Sequence, residues 1–181
     1  MPVIDPRTEE MLEYNLTRMI LRVAQPQRPI IGVLSALPVL GSDADPMMFM
    51  GGPRPTPQPP WIAFQGLKED YEVRTVPPTA IEIDPDIAAL VLVHPKDLSD
   101  ETQYAIDQFL LRGGRLLVYL DPLCVSDESA SPRMQGFTLP RASSDLPRLL
   151  PGWGVTYDPS RVIADIDSGT TVRGRDNQPE Q

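Results

Sequence analysis

The segment VLVHPKDLSDETQYAIDQFLLRGGRLLVYLDP, from Val91 to Pro122, constrains the fold of this chain more than any other stretch. It contains an apolar run, then a stretch with helical spacing of its apolar residues, then a second apolar run. Two apolar strands joined by a helix of this length must be parallel, and the crossover between them is right-handed. The segment therefore predicts a βαβ unit in a buried parallel sheet.

The helix of this unit has clear start and stop signals. Ser99 is a good N-cap, and Asp100 and Glu101 place negative charge in the first turn, where the helix dipole favours it. Gly113 and Gly114 supply a left-handed stop. We therefore expect a helix between these two signals, with its apolar face on the sheet.

Similar patterns predict the other elements of a single α/β domain over residues 1–167. Asp5-Pro6 is a good start for a first helix over residues 8–24, whose apolar residues share one stripe. The stripe consists of Leu12, Leu16, Met19, Ile20 and Val23. The further predicted elements are strands over 30–35, 71–76 and 161–166, and short helices around 61–71 and 144–150. The predicted fold class is three-layer α/β, with a mainly parallel sheet of about five strands and flanking helices.

Two segments lack a regular pattern. Residues 37–60 are dense in Pro and Gly and contain Met47, Met48 and Met50, so they predict a long loop. Methionine side chains make adaptable contacts, so these three residues and Trp61 are candidate partner-docking residues, with plain flexibility as the alternative. Residues 168–181 are polar and unpatterned, which indicates a tail.

The charge balance narrows the possible partners. The formal net charge is −9 over 181 residues, and no basic stripe is present, which argues against nucleic acid and against anionic membrane surfaces. A single cysteine excludes an internal disulfide. No apolar run reaches the roughly 18 residues needed to span a bilayer. We therefore expect membrane contact only through segments outside this chain.

Polar residues follow the predicted strands at the carboxyl edge of the sheet, where α/β proteins bind their ligands. They are Ser35, His94, Lys96, Asp97 and Asp121, and they form the candidate ligand-binding cleft.

An enzymatic hypothesis uses the same edge. A thiolate at Cys124 could be activated by His94, with Asp97 or Asp121 orienting the imidazole. A nucleophile elbow, however, needs small residues at a tight strand-to-helix turn, and the sequence DPLCVSD has Pro and Leu there. With one histidine and one cysteine, no zinc-type ligand set can be assembled. We therefore predict no catalytic residue, no metal and no cofactor.

Four successive segments resemble the gliding-motility ABC-transporter auxiliary family, the GldG-like proteins. They are EMLEYNLTRMILRVAQPQRPIIGVLSALPVLG, MGGPRPTPQPPWIAFQGLKEDYEVRTV, IDPDIAALVLVHPKDLSDETQYAIDQFLLRGGRLLVYLDP and SDLPRLLPGWGVTYDPSRVIADI. The resemblance implies an α/β fold similar to the flavodoxin-like and class I glutamine-amidotransferase-like groups. It also implies an extracytoplasmic domain working beside an ABC-2 type permease and an ATPase. Pro147 and Pro151 interrupt a segment that is more helical in the family.

Residues and resemblance together predict a non-catalytic auxiliary domain of an ABC-type transport system, acting in cargo recognition or subunit docking. Its expected place is the periplasmic face of the inner membrane, where segments outside this chain would anchor it. The alternatives are a small-molecule or glycan-binding sensor domain and a divergent Cys–His hydrolase. A deep polar cleft beside Lys96 would favour ligand binding, and an apolar patch beside the Met-containing loop would favour docking.

Overall fold

The computed structural model describes residues 11–24, 27–42, 57–127 and 142–162, and the backbone of 172–173 and 179–180. Three predictions lie wholly or partly outside these residues: the start of the first helix at Asp5-Pro6, the docking role of Met47, Met48 and Met50, and the end of the strand over 161–166.

The centre of the domain is a parallel sheet of four strands. They are β1 (Ile30–Ser35), β2 (Glu72–Thr75), β3 (Ile87–Val93) and β4 (Arg115–Tyr119). The strand order is β2-β1-β3-β4, and every pair is parallel. This is the order of the first four strands of a flavodoxin-like sheet. The predicted α/β class is confirmed, with one strand fewer than expected among the described residues.

Among the described residues, four helices accompany the sheet. They are α1 (Leu12–Ala24), α2 (Ile62–Asp70), α3 (Asp100–Leu111) and α4 (Leu149–Gly152). A separate antiparallel pair consists of β5 (Val172–Arg173) and β6 (Pro179–Glu180), inside the segment predicted to be a tail. None of the described helices is both long and apolar enough to cross a membrane.

The two faces of the sheet carry different apolar clusters, as the alternation of side chains along a strand requires. On one face, Leu34, Leu90 and Leu92 pack with Ile106 and Phe109 of α3. On the other face, a smaller cluster contains Val33, Val91 and Val93 together with Phe64 of α2. The sheet is therefore the middle layer of three.

The predicted βαβ unit is confirmed in detail. Ser99 caps α3 and accepts a hydrogen bond from the Thr102 N–H at 3.2 Å. Gly113 ends the helix with a φ of 94°, a conformation that glycine adopts without a Cβ clash. A Cβ at Gly114 would collide with the Phe109 ring, so this second glycine allows β4 to start close against the helix.

The predicted fifth strand over 161–166 differs from the structure at its first residues. Arg161 and Val162 belong to no strand, and 163–166 lie outside the described residues. The reason is a turn: Ser160 donates its N–H and its hydroxyl to Asp158 Oδ1, and the Arg161 N–H bonds the Asp158 carbonyl at 3.2 Å. Whether a strand follows stays a prediction.

Helix α1 is attached to the domain by charge rather than by apolar packing. Arg18 Nε lies 2.5 Å from Asp70 Oδ2, and Arg22 also binds Asp70. No residue of α1 is buried. The apolar stripe predicted for this helix is present, but it does not join the core.

Candidate functional site

The carboxyl end of β3 places the only histidine of the chain inside the protein. The His94 N–H donates to the Tyr119 carbonyl at 3.0 Å, and this bond belongs to the last β3–β4 pair, Val93 with Tyr119. His94 is 2% exposed and has a φ of 49°. A left-handed φ is uncommon outside glycine but is enriched for His, Asn and Asp, and it turns the chain towards Pro95.

A charged cluster forms around a residue that the site prediction omitted. Asp127 Oδ2 lies 2.7 Å from Lys96 Nζ and 3.4 Å from His94 Nε2. The Asp127 side chain is buried, and that of Lys96 is only slightly exposed. A buried carboxylate requires such partners, because an isolated charge in a low-dielectric site is very costly.

The second ring nitrogen of His94, Nδ1, is not accessible to solvent. His94 Nδ1 is buried and has no hydrogen-bond partner among the described residues. An unsatisfied buried polar atom costs on the order of 1–3 kcal/mol. Because solvent does not reach this atom, a ligand at the surface would not reach it either without a movement of the ring.

The backbone of residues 144–145 lies against Asp121. The Asp121 N–H donates to Ser144 Oγ at 2.8 Å, and the Ser144 N–H donates to the Asp121 carbonyl at 2.9 Å. The Asp145 N–H reaches the Pro95 carbonyl at 3.2 Å. Residues 144–145 therefore run across the carboxyl edge of β3 and β4 and occupy polar groups that a ligand would otherwise use.

The other two predicted cleft residues shape turns. Ser35 Oγ accepts the Leu37 N–H at 2.9 Å. Asp97 is exposed and has a φ of 53°. The structure thus brings His94 and Lys96 together through Asp127, and it leaves Ser35 and Asp97 outside that cluster.

Cys124 is a buried thiol with an electrostatically unfavourable setting for ionisation. Its N–H bonds the Ala142 carbonyl at 2.8 Å. Burial raises the pKa of the Cys124 thiol and is the largest contribution; backbone hydrogen bonds from Ser126 and Asp127 lower the pKa, and the nearby carboxylates of Asp121 and Asp127 raise it. A nucleophilic cysteine needs a lowered pKa, so the environment of Cys124 is that of an inert thiol.

An apolar groove lies on the α2 face of the sheet, beside the β4 edge, and has a volume of about 710 Å³. Of the predicted site residues, His94, Asp121 and Trp61 line it, whereas Ser35, Lys96 and Asp97 do not. Its apolar lining includes Leu37, Phe64, Leu67, Val91, Val93, Leu117, Tyr119, Leu123 and Val125. Among the described residues that line the groove, Asp121 is the only one with a formal charge at neutral pH when His94 is neutral.

The groove exists because α2 covers only part of its face. Phe64 packs on Val33, Val91 and Val93 of β1 and β3, but α2 does not extend over β4. The β4 side chains on this face, Leu117 and Tyr119, are 51% and 55% exposed. Half-exposed apolar side chains on a sheet face are a feature of contact surfaces.

Two parts of this site were not predicted from the sequence, the pairing of Asp127 and the apolar groove. The pairing of Asp127 with His94 and Lys96 joins residues about thirty positions apart, so no local sequence pattern predicts it. For the groove there was a signal: RLLVY, the sequence of β4, has apolar residues on both faces, as in a strand covered on both sides. In the part of the chain that the structure describes, no group of three His, Cys, Asp or Glu residues is arranged to hold a metal ion.

Comparison with known proteins gives one family. The family model described as "ABC-type uncharacterized transport system" matches residues 28–181. No protein of curated function and no solved structure matches the chain.

Proposed function

Because the chain belongs to the ABC-type uncharacterized transport system family, which gives it an accessory role in transport, we propose that it is a non-catalytic subunit-docking domain. The apolar groove is the surface that binds a neighbouring subunit. The proposed system is of the gliding-motility type, with the domain on the extracytoplasmic face beside an ABC-2 type permease and an ATPase.

The observation that carries this proposal is that the apolar side chains of β4 on the α2 face of the sheet are about half exposed. Leu117 and Tyr119 have more than half of their surface in solvent, next to Trp61 at the groove wall. Large apolar and aromatic side chains in a concave setting are typical anchors of protein interfaces. Docking is therefore favoured over recognition of a polar cargo, since Lys96 and Asp127 of the carboxyl edge already bind each other.

The raised pKa of Cys124 supports the non-catalytic part of the proposal. The hydrolase alternative needs a thiolate next to the imidazole, and burial opposes the formation of that thiolate. The acid next to His94 is Asp127, not Asp97 or Asp121.

The test is capture of the permease and ATPase subunits of the same transport system from membranes in which all three are co-expressed. We expect the unmodified protein to retain both subunits. Leu117→Glu puts a charge on the groove floor and should reduce the recovery of the permease at least tenfold. Leu111→Glu is the matched control, because Leu111 is 74% exposed at the end of α3 and does not line the groove.

Two results would contradict the proposal. One is equal recovery of the permease with Leu117→Glu and with the unmodified protein. The other is an equal loss with Leu111→Glu, because the effect would then not depend on the groove.

Small-molecule binding is a second candidate, favoured by the size of the groove. Its volume of about 710 Å³ lies within the range of ligand sites. Saturable binding of a small apolar ligand that is lost in Leu117→Glu, together with permease recovery unaffected by that change, would favour this function over docking.

A further inference from the structure

A further cavity, the α3–α4 cleft, lies on the face of the sheet opposite the apolar groove and has a volume of about 430 Å³. One wall is a single face of α3, because its four lining residues recur at helical spacing. They are Asp100, Gln103, Tyr104 and Asp107. The other wall is formed by residues of the segment 148–153 around α4, where the buried Leu149 and Leu150 join the core cluster under α3.

Two aromatic side chains line the α3–α4 cleft. Tyr104 is 63% exposed, so its ring is available to a ligand. Trp153 packs against the core cluster and is only partly buried there, and it also lines the cleft. Its indole N–H donates to Asp107 Oδ1 at 3.0 Å, which positions the indole beside the carboxylate. A carboxylate of α3 and an aromatic ring of the opposite wall are therefore held next to each other.

The polar groups of the cleft differ in whether they already have partners. The Gln103 amide is engaged on both sides, because it donates to the Leu98 carbonyl at 3.1 Å and accepts the Arg148 N–H at 3.2 Å. The Arg148 guanidinium binds Asp100 at 2.7 Å. Asp107 is different: among the described residues, its second oxygen, Oδ2, accepts no hydrogen bond. The unoccupied part of the cleft is therefore an anionic acceptor beside two aromatic rings.

This combination fits an organic ammonium group. The face of an aromatic ring attracts a cation, and the lone pairs of a carboxylate accept its N–H donors. Since Arg148 and Asp100 neutralise each other, the remaining formal charge among the described lining residues is that of Asp107. The chain has a net charge of −9, so its overall field attracts cations. A saccharide would need free donors as well as acceptors, and the donors of Gln103 and Trp153 are engaged within the protein.

We propose that the α3–α4 cleft binds a small molecule through a primary alkylammonium group. The N–H donors of the ammonium group contact Asp107 Oδ2, and the adjoining alkyl part lies against Tyr104 and Trp153. The site is separate from the apolar groove, goes beyond the docking role and does not depend on it. A minimal amine makes one charged contact at an open cleft, so its binding is weak, in the millimolar range.

The test follows the indole N–H signals in proton–nitrogen correlation spectra of the labelled protein. The chain has two tryptophans, Trp61 and Trp153, and Trp61→Phe assigns their signals. We expect n-butylammonium chloride to shift the Trp153 signal saturably, whereas the Trp61 signal stays in place because Trp61 lines the groove and not the cleft. The neutral n-butanol and the anionic butyrate should give no saturable shift. Tetramethylammonium, which has the charge but no N–H donor, should bind about fivefold more weakly.

Variants test the carboxylate and the aromatic ring separately. Asp107→Asn keeps an acceptor for the Trp153 indole but removes the charge, and should weaken the binding of n-butylammonium about tenfold. Tyr104→Leu removes one ring from an exposed position and should weaken it about threefold. Glu82→Gln and Tyr14→Leu are the matched controls and should leave the affinity unchanged, because both residues are exposed and neither lines the cleft.

Four results would overturn the inference. The first is a Trp153 signal that does not respond to n-butylammonium, or that responds equally to n-butanol. The second is unchanged affinity in Asp107→Asn or in Tyr104→Leu. The third is an equal loss in Glu82→Gln, which would make the net charge of the protein responsible. The fourth is equal affinity for tetramethylammonium, which would remove the role of Asp107 as an acceptor.

The comparison of the four probes keeps the test decisive if a variant does not fold, because it uses the unmodified protein. Circular dichroism shows which variants are folded. A negative result at the α3–α4 cleft leaves the proposed docking role standing, because capture of the permease is measured with changes in the apolar groove.

Discussion

At the scale of single residues, the charged side chains at the carboxyl edge of the sheet bind one another. The Asp127 carboxylate contacts Lys96 and His94, and the hydroxyl of Ser144 accepts a hydrogen bond from the Asp121 N–H. Polar residues at this edge of an α/β sheet predict a ligand site. In this chain the same residue types stabilise the loops that follow the strands, which explains why the pattern alone did not separate the two roles.

Replacement of Lys96 by methionine should destabilise the protein. The change keeps the length of the side chain but removes the ammonium group 2.7 Å from a buried carboxylate. We expect a loss of about 2–3 kcal/mol in the free energy of unfolding, because the buried carboxyl group of Asp127 loses the ammonium group that compensates its burial. Urea unfolding at neutral pH measures it. Lys68→Met is the control: Lys68 makes only an exposed contact of 3.3 Å to the Leu40 carbonyl and should change stability by less than about 0.5 kcal/mol.

The buried thiol should make the stability depend on alkaline pH. Burial raises the pKa of Cys124, so the folded state holds its proton at a pH where the unfolded chain has lost it. The resulting stability is complete below the ordinary thiol pKa of about 8.5 and falls as the pH rises from there towards the raised value. Urea unfolding between neutral and alkaline pH should show a steeper loss for the unmodified protein than for Cys124→Ala. Equal slopes would mean that the thiol is not desolvated in the folded state.

At the scale of elements, α1 shows that a correct helix prediction does not determine how the helix packs. Its spacing indicated an amphipathic helix, and the helix is present at Leu12–Ala24. No local pattern in the sequence indicates that Asp70, about fifty residues away, binds the two arginines of α1 and leaves its apolar stripe outside the core. A helix of thirteen residues is marginal alone, so this attachment decides whether it is formed.

Asp70→Asn should release α1 from the domain. Burial favours the neutral acid, but hydrogen bonds from Arg22 and Arg18 outweigh it and lower the pKa of Asp70. The stabilisation is therefore present above the ordinary Asp pKa of about 3.9 and is lost as the pH falls through the lowered value. The protection of the α1 amides, measured as the exchange rate relative to the intrinsic rate at the same pH, should fall in Asp70→Asn at neutral pH and in the unmodified protein at acid pH. Asp84→Asn, which loses an exposed contact with Arg74, should leave α1 exchange unchanged.

At the scale of the whole molecule, the accuracy of sequence-based inference followed the range of the interactions. The βαβ unit from β3 to β4 was predicted with its cap and its stop, because Ser99 and Gly113 act within one turn of the helix. Strand β1 was predicted at its observed limits, since an apolar run is a local signal. The cover of β4 was not predictable, because it depends on how far α2 extends across the sheet, and no local pattern in the sequence indicates this.

The unequal clusters on the two faces of the sheet predict that the two faces open at different free energies. The cluster under α3 contains more buried residues than the one under α2 among those described. Sub-global opening should therefore detach α2 at a lower free energy than α3, and native-state exchange in low urea would reveal this order as earlier exchange of the α2 amides. A molecule bound in the groove beside Phe64 would bind only the form in which α2 is packed on the sheet. It should therefore slow the opening of α2 and the exchange of the α2 amides.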